Sequence, residues 1–367
     1  MCFINKLNNS KNFYLTIIIS VLFLNTFFTN KLYASSFQIS NIEIHEKFDL
    51  NFNKKKVFEK AFKTAFIQLT SMVTTSKDKK KLENTNNTTI KSLIDSFEIS
   101  DEKFVQDEYV AKFDVNFNKS STLNFFENNN IFPSIPNKLD ILMIPILINI
   151  NKENLMIFNE NPIYKNWHNS TENFHLLNYI LPNEDIEDRN FLKKNLEFLE
   201  EYNFDEIIKK YEMQNYVINI VYQDEDKLKI LSKVKFNNDF KIINQNFTDI
   251  NINDEDSLNQ LINKLKITYE DSWKELNIIN TSIKLPLTVL LSSKDHKKIK
   301  LFESTLSNLD LVSNFYIVSF DSKNILYKII YNGSPKKFLS EINEQNFDIK
   351  KENQIWRIKW MIWINYF

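Results

Sequence analysis

Four acidic side chains lie close together near the middle of the chain, in the segment that runs from Glu184 to Arg189. Two carboxylates at this spacing can carry out acid–base catalysis or hold a hard cation through their oxygen atoms. The same spacing suits a helix N-terminus, where Asp185 or Asp188 would accept backbone N–H bonds and Asp185 would pair with Arg189 one turn later. Asp185, Asp188 and Arg189 therefore form the candidate functional cluster, with helix capping as the simpler interpretation.

Residues that bind metals and cofactors are sparse in the rest of the sequence. The four histidines do not stand at metal-ligand spacing, so no metal site is predicted. The only glycine is Gly333, which on its own builds neither a phosphate-binding loop nor a dinucleotide fingerprint. We therefore expect no cofactor, and we favour a non-enzymatic role. The histidines are His45, His168, His175 and His296.

The charge balance argues against a nucleic-acid partner. The chain of 367 residues has 46 basic and 47 acidic residues, and its only arginines are Arg189 and Arg357. Arginine supplies the bidentate contacts that read guanine and phosphate. A chain that is slightly acidic and so poor in arginine is not expected to bind nucleic acid. The 43% of hydrophobic residues predicts that most of the chain folds.

The N-terminus has the order of features of a secretory signal. Lys6 and Lys11 precede an apolar core from Phe13 to Phe28, and a small residue, Ala34, stands just before Ser35. We predict a signal peptide at residues 1–34 with cleavage between Ala34 and Ser35. An uncleaved membrane anchor is the alternative, although an apolar core of about 16 residues is shorter than the ~20 that a spanning helix needs.

Export would place the protein in the periplasm. The only cysteine, Cys2, would leave with the signal, so the mature chain would have no disulfide and no thiol nucleophile. If residues 13–28 stayed attached, the same body would be anchored in the inner membrane instead. Either way, the sequence predicts a water-soluble body outside the cytoplasm.

The hydrophobic pattern of the body predicts a mixed α/β and α+β protein with three small two-layer domains in series. Residues 35–136 should form an α+β domain, because a strand, a long amphipathic helix and a β-hairpin follow one another. Residues 137–280 should form an α/β domain around the apolar strand 139–150. Residues 281–360 have the β-α-β-β-α-β order of a ferredoxin-like domain. Residues 361–367 remain as an apolar, aromatic tail.

These features resemble an exported proteobacterial family catalogued as domain of unknown function 2066. The resemblance rests on the helix from Val57 to Met72, the strand from Phe113 to Phe117, the segment from Leu181 to Arg189, and the terminal ferredoxin-like unit. It covers nearly the whole mature chain. It implies an order of elements and an envelope location, but no reaction.

The C-terminal tail is the candidate contact surface. Trp360, Trp363 and Phe367 make it more apolar than a free terminus in water, as in a segment that docks on a membrane surface or on an envelope protein. We therefore expect a non-catalytic binding or assembly module whose small-molecule ligand, if it has one, the sequence does not identify. A hydrolase or cation-binding protein that uses Asp185 and Asp188 is the alternative.

Overall fold

The computed structural model describes residues 37–169, 176–352 and 355–360. The predicted signal peptide with its cleavage site at Ala34 and Ser35, and the tail residues Trp363 and Phe367, lie outside these ranges. The described residues belong to one compact unit of mixed α and β structure. The described part contains three β-sheets, and none of its helices is long and apolar enough to cross a membrane.

The first sheet is antiparallel and has the strand order β1-β3-β2. Its long helix α1 begins after Asn53, whose side chain accepts a hydrogen bond from the Lys55 backbone N–H. Val57, Ala61 and Leu69 are buried on one face of α1, as the sequence predicts. The elements are β1 (Gln38–Lys47), α1 (Lys54–Val73), α2 (Ser76–Leu82), α3 (Asn87–Leu93), β2 (Ile94–Val105), β3 (Glu108–Phe117) and α4 (Lys119–Asn128).

The second sheet has the order β5-β4-β7-β8-β9, and β6 also pairs with β4. Strands β4, β6 and β7 are parallel to one another, whereas β7, β8 and β9 form an antiparallel meander. The elements are β4 (Leu139–Asn149), β5 (Asn154–Met156), α5 (Pro162–Asn166), β6 (Leu177–Ile180), α6 (Ile186–Lys194), α7 (Asp205–Lys209), β7 (Tyr216–Asp224), β8 (Lys227–Phe236), β9 (Asp239–Phe247) and α8 (Glu255–Leu276).

Strand β4 is buried on both faces, which explains its nearly continuous apolar sequence. Ile141 and Met143 belong to the core under α8, while Leu142 and Ile144 belong to the opposite core under α6 and α7. Helix α6 is short: it ends at Lys194, and a single 3₁₀ turn follows. The short elements β5, α5 and β6 were not predicted, since three to five residues are too few to show a period.

The third sheet has the order β11-β12-β10-β14-β13. One strand was predicted after the last helix, but the structure has two, and β14 lies parallel to β10. The extra strand β13 is an edge strand, and the charged residues that suit an edge obscure a strand pattern. The elements are β10 (Leu285–Ser292), α9 (His296–Asn308), β11 (Val312–Phe320), β12 (Asn324–Tyr331), α10 (Pro335–Glu344), β13 (Phe347–Glu352) and β14 (Ile355–Trp360).

Helix α8 joins the first sheet to the second. The Lys274 ammonium donates to the Ser71 backbone carbonyl at 2.6 Å, and the Ser76 hydroxyl donates to the Asp271 carboxylate at 2.6 Å. Each of the three predicted ranges contains one sheet, although polar contacts of α8 with α1 and α2 tie the first range to the second. The boundaries after residues 136 and 280 stay predictions.

Candidate functional site

The acidic segment, residues 184–188, follows the carboxyl end of β6. Strand β6 runs parallel to β4, with Leu177 opposite Leu139 and Ile180 opposite Leu142. In open α/β sheets, ligands bind beyond the carboxyl ends of parallel strands. The fold therefore places the acidic segment at a position where a ligand site would be expected.

Asp185 is the N-cap of α6. Its backbone is extended, and its Oδ1 accepts hydrogen bonds from the backbone N–H groups of Glu187 at 2.8 Å and Asp188 at 3.2 Å. Its Oδ2 accepts a hydrogen bond from the Lys210 ammonium at 2.7 Å. The hydrogen bond from Lys210, followed by the backbone bonds and the charge of Lys210, lowers the pKa of Asp185 below its usual value. Both oxygens of this carboxylate are thus engaged.

Asp188 shares the same lysine. The Lys210 ammonium donates to Asp188 Oδ1 at 2.7 Å, and the two carboxylates raise the pKa of Lys210. Only 9% of the Asp188 side chain is exposed, against 40% for Lys210. Lys210 therefore bridges a buried acid and an N-cap acid, and its single positive charge offsets part of their combined negative charge.

The space beside Asp188 is very small. Asp188 lines a cavity of about 10 Å³ together with Pro145, Tyr164 and Pro182, and its Oδ2 has no hydrogen-bond partner among the described residues. A volume of about 10–15 Å³ is what one water molecule requires. The cavity therefore has room for a water that would satisfy Oδ2, but it has no room for a substrate.

Arg189 does not pair with Asp185. Its guanidinium lies 2.6 Å from Glu160 Oε1, while Asp185 pairs with Lys210. The reason is local geometry: an N-cap side chain turns back over the first N–H groups of the helix, so it does not point along the helix toward the residue four positions later. The candidate ion pair between Asp185 and Arg189 is thus wrong.

The segment just before the cap is held by residues that the sequence did not single out. The Tyr164 hydroxyl donates to the Pro182 carbonyl at 2.8 Å, and the Tyr211 hydroxyl accepts from the Asn183 N–H at 2.9 Å. Lys210 and both tyrosines are distant in sequence from Asp185, and no spacing rule connects them to it. Only the fold brings these side chains together.

The other predicted residues are scattered. Trp360 ends β14, where its backbone is paired with Phe347. His45 is exposed between Glu43, at 2.9 Å, and Glu108, at 3.4 Å, and hydrogen bonds to these two carboxylates raise its pKa. His168 also lies at the surface, where desolvation of its ring by neighbouring groups, followed by the charge of Lys266, lowers its pKa. Within the described ranges, no group of three metal-ligating side chains occurs.

A larger groove of about 450 Å³ opens at the carboxyl end of β7. Tyr222 and Phe247 contribute apolar surface to it, and its rim carries charges of both signs, Asp224 with Glu200 and Lys227 with Lys229. Because the two pairs of charges balance, the groove does not select a ligand by its charge. It is a shallow surface feature rather than a closed site.

A second surface feature is apolar and lies at one end of the first sheet. Phe48 and Leu50 stand on the turn after β1, and Phe104 and Val105 stand at the end of β2. Leu50 is fully exposed, and the other three are each about half exposed. The Phe48 and Phe104 rings meet edge to face at 4.8 Å. We call these four residues the Phe48 tip.

Comparison with known proteins does not assign a function. No protein-family model matches the chain, and no curated protein is significantly similar to it. The functional conclusion therefore rests on two regions of the structure: the acidic segment with Lys210, and the exposed Phe48 tip.

Proposed function

We propose that this chain is an exported periplasmic protein that acts as a non-catalytic binding module of the cell envelope. The observation that supports the non-catalytic role is the engagement of the acidic segment. Lys210 and the N-terminus of α6 occupy three of the four carboxylate oxygens of Asp185 and Asp188. The charged groups that suggested chemistry thus have structural partners.

The geometry disfavours the hydrolase alternative. A general acid or base must reach the proton of a bound substrate at hydrogen-bond distance. Asp188 faces a cavity of about 10 Å³, and Asp185 is bound by two backbone N–H groups and an ammonium. Neither carboxylate has a substrate-sized space beside it.

Cation binding is disfavoured by charge. The Lys210 ammonium lies 2.7 Å from an oxygen of each carboxylate, in the place that a shared cation would take. A metal would have to displace this ammonium. Calorimetric titration of the wild-type protein with Mg²⁺, Ca²⁺ and Mn²⁺ should therefore show no binding. Binding that is lost in Asp185→Asn and Asp188→Asn would instead support the cation-binding alternative.

The family relationship is also a proposal. We infer that the chain belongs to the exported family catalogued as domain of unknown function 2066, with three domains in series. Its last domain would be a ferredoxin-like unit in which β14 is inserted beside β10. The antiparallel trio β11-β12-β10, packed against α9 and α10, supports this relationship.

Export is tested by the mature N-terminus. The protein should be recovered from the periplasmic fraction with Ser35 as its first residue. A chain recovered from the inner membrane with residues 13–28 still attached would support the anchored alternative. Recovery in the cytoplasm would contradict the proposal.

The predicted role of the tail is tested separately. The exported protein should be compared with a version that lacks residues 361–367, in assays of partner capture and of vesicle binding. Loss of one interaction in the truncated form would support contact through Trp363 and Phe367. Identical behaviour of both forms would exclude the tail as a contact surface. The candidates would then be the surfaces of the described residues.

A further inference from the structure

The Phe48 tip is an ordered projection from the body. All residues from 47 to 51 and from 101 to 108 are exposed, so the turn after β1 and the last residues of the β2–β3 hairpin lie at an open end of the sheet. A backbone hydrogen bond of 2.7 Å from the Phe48 N–H to the Asp107 carbonyl ties these two regions together. The apolar side chains are therefore held at a fixed place at the end of the sheet, and the fully exposed Leu50 projects from it.

Ring contacts continue from the Phe48 tip into the core. Phe48 contacts Phe52 at 4.9 Å, and Phe104 contacts the buried Tyr109 at 5.2 Å. Leu50 stands beyond these rings and is fully exposed. Single exposed apolar residues are ordinary on protein surfaces, but neighbouring exposed apolar residues on a turn and on the end of an adjacent strand mark an interaction site.

The charges behind the Phe48 tip are paired. Lys47 lies 3.8 Å from Asp49, Lys54 lies 2.6 Å from Glu102, and Lys103 lies 3.8 Å from Asp101. Nearby, Lys55 and Asp107 are exposed charges of opposite sign. The surface is thus close to neutral, so an attraction to this region depends on its apolar side chains rather than on its net charge.

We propose that the Phe48 tip inserts into the interfacial zone of a lipid bilayer. A flat bilayer accepts apolar side chains that project from the end of a sheet, because it needs no complementary groove. The flanking lysines can keep their ammonium groups in the headgroup layer while their aliphatic stems follow the apolar residues inward. The inference rests on the proposed function, because an envelope protein faces bilayer surfaces.

The paired charges make the proposal specific. Insertion driven by apolar side chains should occur on vesicles of phosphatidylcholine alone as well as on mixtures of phosphatidylethanolamine and phosphatidylglycerol. It should also persist at high salt, since salt screens exposed charges and not apolar contacts. Binding restricted to the anionic vesicles at low salt would contradict the proposal.

The direct test is co-sedimentation of the exported protein with these vesicles. Burying a leucine or phenylalanine side chain in the bilayer raises the partition coefficient of the protein about tenfold or slightly more. Leu50→Ser should therefore weaken binding about tenfold, and Leu50→Ser with Phe104→Ser about a hundredfold. The matched control is Ile186→Ser with Phe320→Ser, two exposed apolar residues that lie on α6 and β11 and are not part of the Phe48 tip. This control should bind as the wild type does.

Folding and function can be told apart in this test. Leu50 is fully exposed, so Leu50→Ser should unfold at the wild-type temperature, and weaker binding by this variant cannot be attributed to misfolding. Absence of vesicle binding, or equal binding by wild type and Leu50→Ser, would overturn the inference. If the tip variants instead lost an envelope protein partner, the binding role would stand and the lipid inference would fall.

Discussion

The acidic segment and the Phe48 tip differ in how the fold uses their residues: it gives the charged residues structural partners, and it leaves the apolar residues exposed. The acidic segment is rich in charge, yet Asp185 and Asp188 are held by Lys210 and by the first N–H groups of α6. The Phe48 tip consists of residue types that belong in a core, yet Leu50 is fully exposed.

This difference shows where each kind of signal is informative. A carboxylate becomes available for chemistry only when the fold leaves it without a partner, and the partner here is 22 residues or more away in sequence. An apolar residue indicates binding only when the fold leaves it outside the core. Both conditions concern long-range packing, and composition does not report either one.

Removal of the bridging lysine should have the largest effect. Lys210→Met leaves the buried Asp188 carboxylate without its cation, which should lower the free energy of unfolding by about 2 kcal/mol. The control Lys209→Met changes an exposed neighbour on α7, and its free energy of unfolding should stay within about 0.5 kcal/mol of the wild-type value. Chemical denaturation measures both. If the two variants were equally stable, Lys210 would not have the structural role proposed for it.

The effect of this lysine should depend on pH in a defined direction. The pKa of Asp185 is lowered in the folded protein. Its contribution to stability is therefore fully present above the usual aspartate pKa of 3.8, and it is lost as the pH falls through the folded-state pKa. The pKa of Lys210 is raised, so its contribution to stability is fully present below the usual lysine pKa of 10.5. The stability difference between wild type and Lys210→Met should thus be constant near neutral pH and should shrink in acid. A difference that grew below pH 3.8 would contradict this assignment.

Loss of the helix cap should have a smaller effect. Asp185→Ala removes the acceptor for two N–H groups and should lower the free energy of unfolding by less than Lys210→Met does. Asp295→Ala is a matched control, because Asp295 caps α9 through the N–H groups of Lys297 and Lys298. The two losses should be similar, apart from the extra contact between Asp185 and Lys210. Asp185→Ala should bind vesicles as the wild type does, because the acidic segment and the Phe48 tip act independently.

The smallest stability effect is expected at the Phe48 tip. Leu50→Ser should change the free energy of unfolding by less than about 0.5 kcal/mol, because the leucine is fully exposed. Thermal unfolding of wild type and variant side by side checks this. A clear loss of stability would mean that Leu50 packs against the body, and the tip would then not be a free surface.

Local signals predicted much of the fold. The period of β3, the apolar stripe of α1 and the hairpin β11–β12 can each be recognised from neighbouring residues. The cap at Asp185 is also local, since it depends on residues two and three positions later. Such features are determined within a few residues, so the sequence alone is sufficient to predict them.

Features that depend on distant residues were not predicted. Strands β6 and β13 are defined by their pairing with β4 and β14 rather than by a period of their own. The contact of Lys210 with Asp188 joins α6 to the residue that follows α7, and the exposure of Phe104 depends on where the β2–β3 hairpin ends. In each case the deciding partner is supplied by the tertiary structure.

A fluorescent label compares the two regions most directly. The only cysteine is Cys2, so in a Cys2→Ser background a single new cysteine can carry an environment-sensitive dye. Leu50→Cys places the dye on the Phe48 tip, and Ile186→Cys places it on an exposed apolar position of the acidic segment. With phosphatidylcholine vesicles, the emission should shift to the blue at position 50 and stay unchanged at position 186. An unchanged spectrum at position 50, or a shift at position 186 alone, would contradict the account.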